Sequence, residues 1–65
     1  MTIYVVTVQS FDTNKKRISS EGYTKRDDAV KFIESRSDYK EFGFKFNDFR
    51  YIAKHNIYEI CAINI

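Results

Sequence analysis

The side chains best suited to covalent or acid–base chemistry in this chain are its one histidine, His55, and its one cysteine, Cys61. A nucleophile needs a base within hydrogen-bond reach and a third group that orients the base. His55 and Cys61 stand on either side of an expected strand start, and no third residue is placed to orient the imidazole. They read as a turn histidine and a small apolar core cysteine. The acids add little. Asp27 and Asp28 fall at an expected helix start, where the helix dipole favours negative charge. Asp38 and Glu41 read as solvated surface. One Cys and one His cannot supply the four ligands of a structural zinc, and there is no Gly-rich phosphate loop. The expectation is a non-enzyme with no metal and no cofactor.

Binding chemistry is better represented. Phe42, Phe44, Phe46, Phe49 and Tyr51 crowd into one short stretch, with Arg50 among them. Aromatic and arginine side chains carry much of the energy of protein interfaces. The expected partner-binding set is Phe42, Phe44, Phe46, Arg50 and Tyr51. A second set is basic: Lys15, Lys16, Arg17, Lys25 and Arg26, with Glu21 the one acid between them. The first three belong to a hairpin tip and the last two to the far end of the next strand, roughly 20 Å away. Solubilising charge is therefore expected over a single phosphate-binding patch. The run Lys40-Glu41-Phe42-Gly43-Phe44-Lys45-Phe46 is similar to the central motif of the RNA-recognition fold at Lys40, Phe42, Gly43 and Phe44. It departs from that motif at Glu41, Lys45 and Asn47, and that fold needs two helices. Single-stranded nucleic acid, stacked on Phe44 and Phe46 beside Lys45 and the Lys15–Arg17 tip, stands as the second choice of partner.

The elements that must position these groups follow from periodicity. Residues 2–9 alternate as a strand with apolar groups on both faces, as a central strand does. Asp12 to Lys16 is a polar turn. Arg17 to Tyr23 is a weaker strand whose Ser19, Ser20 and Glu21 suit a sheet edge. Thr24 is placed to cap a helix over residues 25–37, with Ala29, Val30, Phe32 and Ile33 on one face. Residues 39–49 fit neither period cleanly and read as an irregular connection whose Phe side chains plug the core. Residues 49–54 and 57–63 alternate as two further strands around a His55-Asn56 turn. The expected fold is α+β: a three- to four-stranded, mainly antiparallel sheet with one amphipathic helix packed on one face, ββαββ. One helix covers one face only, so the second face is expected to be capped by the Phe-rich connection or buried in a partner.

Size and composition bound the rest. Sixty-five residues make one domain with a thin stability margin, about 3–5 kcal/mol from a single core. With no disulfide available, the eleven Phe and Tyr rings must fill the core, or oligomerisation must help. The net charge of +2 argues against a DNA mimic and against a DNA packer. No apolar run is long enough for a membrane helix. The start, Met1 to Val6, reads as a strand and not as a signal peptide, so a cytosolic protein with no membrane partner is expected.

The pattern resembles a loose group of very small phage and prophage proteins. The residues that carry the resemblance are Ile3-Tyr4-Val5-Val6, Gly22-Tyr23-Thr24, Ala29, Phe32 and Ile33, followed by Phe49-Arg50-Tyr51-Ile52 and Ile57-Tyr58-Glu59-Ile60. These are core and capping positions, so the resemblance concerns the fold and transfers no functional residues. It implies a protein of the host cytosol that binds and modulates or inhibits a host protein, host-defence proteins included. Self-association as a homodimer is the accompanying expectation.

Overall fold

A computed structural model describes residues 1–65, the side chain of Ser20 excepted. Alternation places Tyr4, Val6 and Val8 on one face of β1 (Thr2–Ser10), and Ile3, Val5 and Thr7 on the other. The chain reverses after Ser10. The Ser10 hydroxyl accepts from the backbone N–H of Asp12 at 3.2 Å, and Asn14 takes the left-handed conformation, φ 58°, that asparagine tolerates. Strand β2 (Lys16–Tyr23) returns antiparallel to β1, with an irregularity in register between Val5 and Thr7.

The helical segment is shorter than expected and split. Helix α1 (Arg26–Glu34) is preceded by Lys25 in an extended conformation with no side-chain cap, so Thr24 does not cap it. It stops because the Ser35 hydroxyl donates to the Phe32 carbonyl at 2.7 Å, an alternative to continued helix that serine side chains offer. Arg36 is extended, and a second short helix, α2, runs over Ser37–Glu41. Strand β3 (Gly43–Lys45) then pairs antiparallel with β4 (Arg50–Ala53), which pairs with β5 (Asn56–Asn64).

The described residues thus form one antiparallel sheet of five strands in the order β2-β1-β5-β4-β3, plus two short helices. This corrects the expected three- to four-stranded ββαββ fold with one helix. Two causes combine. Ser35 breaks the helix, and Gly43-Phe44-Lys45 finds hydrogen-bonding partners in Tyr51 to Ala53 and becomes a fifth strand. The strands with apolar residues on both faces, β1 and β5, are interior, and polar β2 is an edge, as the patterning requires.

Both helices lie on one side of the sheet. There Val6, Ala29, Ile33, Tyr51, Ala53, Tyr58 and Ile60 form the buried core, flanked by Tyr4, Val8, Tyr23, Val30, Phe32 and Tyr39. The buried rings are Tyr51 and Tyr58, and Phe32 is the one phenylalanine packed against this interior. The expectation that residues 42–49 plug the core is overturned, because Phe42, Phe44, Phe46 and Phe49 are all exposed. The opposite face carries no helix. No helix of the described residues is long and apolar enough to cross a membrane.

Candidate protein-binding surface

Strand register fixes what the helix-free face presents. Phe44 lies opposite Ile52, and Ile52 opposite Ile57, so these three form one cross-strand apolar row. The next row holds Arg50, Glu59 and Thr7, with Ile18 beyond. Glu59 joins that row electrostatically. Its carboxylate accepts from Arg50 Nη2 at 2.8 Å and Nε at 2.9 Å, and lies 3.5 Å from Lys16 Nζ. The Arg50 hydrogen bond holds the Glu59 carboxyl below its usual range; burial opposes this and the positive charges of Arg50 and Lys16 reinforce it.

Arg50 also organises the rings. Its guanidinium carbon sits 5.9 Å from the ring centres of both Phe46 and Phe49, within the reach of cation–π attraction. The turn between β3 and β4 imposes this. Asn47 Oδ1 accepts from the N–H groups of Phe49 (3.0 Å) and Arg50 (2.8 Å), and the Phe46 N–H donates to the Arg50 carbonyl at 2.9 Å. Phe42 and Phe44 meet edge to face, centroids 5.9 Å apart at 82°. Phe42, Phe44, Phe46 and Phe49 remain 56, 46, 60 and 49% exposed. At about 200 Å² per ring-bearing side chain this leaves roughly 400 Å² of aromatic surface open to water. That matches the largest apolar patch of a typical monomer and is about half of one side of a standard protein interface.

The cluster rests on a buried carboxylate. Asp38, in α2, accepts from Tyr58 Oη at 2.6 Å and from Asn56 Nδ2 at 2.8 Å. Burial raises its pKa, but these two bonds and those from the backbone N–H groups of His55 and Tyr39 outweigh burial and hold it below its ordinary value. Burial, then the hydrogen bond to Asp38 and its charge, push Tyr58 upward, while Arg36 opposes the shift. The pair ties α2 to the β4–β5 turn, and the Asp38 carbonyl accepts the Phe42 N–H at 3.1 Å where the ring-bearing segment begins. Gly43 follows against Tyr39. A Cβ there would come within 2.5 Å of the Tyr39 ring and 2.6 Å of its carbonyl oxygen, so the close approach needs glycine.

The expected partner-binding residues therefore divide. Phe42, Phe44, Phe46 and Arg50 gather at one end of the sheet, Phe49 joins them, and Tyr51 does not. Tyr51 is 3% exposed and faces the helices, because alternation along β4 sends it to the side opposite Arg50. Asp38 is also misplaced by the sequence reading. It is buried and bonded, not solvated surface. The ring–arginine contacts had a signal in the Phe-rich run, but nothing in the sequence marked Asp38 as the anchor beneath it.

The basic residues do not converge. Lys16 lies on the helix-free face with Glu59. Arg17 lines the other side, in a cavity of about 650 Å³ shared with Val8, Phe32, Arg36, His55 and Tyr58. Lys25 and Arg26 begin α1, beside the far end of β2. His55 sits in the β4–β5 turn, and Cys61 lies six residues along an extended strand, roughly 20 Å off, so no nucleophile–base pair forms. Lys40 and Glu41 belong to α2 and Phe44 to an edge strand, so the run similar to the RNA-recognition motif does not lie on one central strand. Among the described residues no group of three His, Cys, Asp or Glu side chains could hold a metal ion. The chain matches no protein-family model, no curated protein and no solved structure.

Proposed function

We propose that this protein is a non-enzymatic binding module that docks on another protein through the Phe42, Phe44, Phe46, Phe49 and Arg50 cluster and the adjoining Phe44–Ile52–Ile57 row. The single observation that carries this reading is four phenylalanines, each about half exposed, at one end of the sheet: Phe46 and Phe49 held around Arg50 by a hydrogen-bonded turn, and Phe42 and Phe44 packed edge to face beside them. Leaving that much aromatic surface in water is unfavourable at about 25 cal/mol per Å², and burial against a partner would recover it. Preordering by Asn47 and Arg50 lowers the entropy lost on docking. The resemblance to small phage and prophage proteins supplies the class of partner, a host-cell protein, and the mode of action, steric occupation of its surface.

The test compares capture from host lysate by wild type and by a Phe42→Ser, Phe44→Ser, Phe46→Ser triple variant, whose changes fall on exposed side chains and leave the core intact. A protein retained by wild type at high salt and lost by the variant supports the reading. Equal capture by both overturns it. Binding of labelled single-stranded DNA or RNA that falls steeply with salt would replace it with the nucleic-acid alternative.

A further inference from the structure

Strand β5 is longer than the strand beside it. Its pairing with β4 ends at Glu59, with one more bond from the Ile60 N–H to the Phe49 carbonyl at 2.8 Å. Its pairing with β1 continues to Asn64. Beyond Ile60, β5 is therefore an edge. The ladder alternates, and Ile63 lies opposite Ile3 while Ile65 and Met1 exchange backbone bonds, so Ile63 and Ile65 direct their N–H and C=O groups at β1. Ala62 and Asn64 direct theirs outward. Those two donors and two acceptors have no partner among the described residues.

This edge lacks the usual protection. Sheet edges are blunted by lysine, proline, bulges or a covering element. The opposite edge, β2, carries Lys16, Arg17 and an irregular register. Residues 60–65, Ile-Cys-Ala-Ile-Asn-Ile, have no charged side chain and no proline, and Ile63 and Ile65 are 47% and 81% exposed. Uncharged, β-prone strand edges of this kind pair with further strands.

We propose that a second copy of this chain covers the edge, β5 pairing antiparallel with its own counterpart about a two-fold axis at Ile63. The register follows from which groups are free. Ala62 facing Asn64 of the other copy, and the reverse, satisfies both donors and both acceptors on each chain. Ile63 then faces its own counterpart in a non-hydrogen-bonded pair, Cα atoms about 4.5 Å apart, and Cys61 faces Ile65. A two-fold contact is self-complementary and closed, and with no charged side chain in 60–65 self-pairing sets no like-charged side chains against each other.

Sedimentation equilibrium up to about 500 µM should give twice the 7.8 kDa chain mass. Ala62→Pro removes an outward N–H while leaving the β1 ladder whole, and should give a monomer with an unchanged circular dichroism spectrum. Ile63→Lys sets two ammonium groups together at the axis and should weaken the dimer by at least about 100-fold. In a Cys61→Ser background, Ile63→Cys should cross-link to itself on mild oxidation, because that Cα separation suits a disulfide, whereas Ile57→Cys should not. The cross-link reads the register without altering the backbone. A wild type monomeric throughout that range, an assembly larger than two, a dimer indifferent to Ala62→Pro, or equal cross-linking at 57 and 63 would each overturn the proposal.

Discussion

Replacing Asp38 tests the framework beneath the ring cluster. The carboxylate holds Tyr58 Oη at 2.6 Å and Asn56 Nδ2 at 2.8 Å from within a buried position. A hydrogen bond to a charged group contributes about 1.5–3 kcal/mol, and stranding a buried partner adds the cost of its desolvation. In Asp38→Ala the Asn56 amide, only half-buried, regains water, while the Tyr58 hydroxyl, on a residue 3% exposed, loses its carboxylate partner. The expected loss is about 3 kcal/mol, against a total stability of about 3–5 kcal/mol for a domain of this size. With a urea slope of about 1 kcal/mol/M, the midpoint should fall by about 3 M, leaving the variant barely folded at 25 °C. Tyr58→Phe removes one donor and should cost about 1–2 kcal/mol. The two should be strongly non-additive, because they break the same bond. Urea titrations followed by circular dichroism give all three values. The reasoning fails if Asp38→Ala shifts the midpoint by less than about 0.5 M, or if the two effects simply add.

Acid provides a related check. The folded Asp38 pKa lies below its ordinary value of 3.8, so the unfolded chain binds the proton more readily. The carboxylate's contribution is complete above pH 3.8 and disappears as pH falls through the lower folded value; wild type should lose stability on acidification with a slope that Asp38→Asn flattens. Gly43→Ala should destabilise by about 1–3 kcal/mol, since the new methyl meets a backbone carbonyl. Gly22→Ala should cost less than Gly43→Ala, because it meets only the movable Ile3 Cγ2 at 2.6 Å; paired thermal melts rank the two. Glu59→Gln should lose about 1 kcal/mol and free Arg50 from its strand, read as greater side-chain mobility of Arg50 by NMR.

Much of the sheet was legible because its strands state their surroundings. Val5, Val6 and Val8 beside Ile57, Ile60 and Ile63 put apolar groups on both faces and require interior strands, which β1 and β5 are. Ser19 and Glu21 announce an edge. The illegible part was 35–49, where local signals compete. Phe42, Phe44 and Phe46 alternate as a strand while Phe42, Phe46 and Phe49 repeat as a helix, and the decision is made by Tyr51 to Ala53, which offer β3 a ladder. Asp38 went unread because an acid before Tyr39 looks the same in sequence whether it meets water or a distant tyrosine hydroxyl. Tyr51 was misassigned by its company among exposed rings, although the alternation of β4 itself places it opposite Arg50.

The nine-residue ladder joining Thr2–Ser10 to Asn56–Asn64 also governs how the molecule comes into being. The neighbours β1 and β5 are the first and last strands along the polypeptide, and β5 is the middle strand of the five, so the sheet has no centre until residues 56–64 arrive. A nascent chain on the ribosome holds only its two flanking hairpins, β1–β2 and β3–β4, and its helices, which cannot persist alone. Folding must await the emergence of the final strand, and pairing strands so distant in sequence makes that step slow for so short a chain. For the same reason, a cut that removes residues 56–64 would leave no stable remnant.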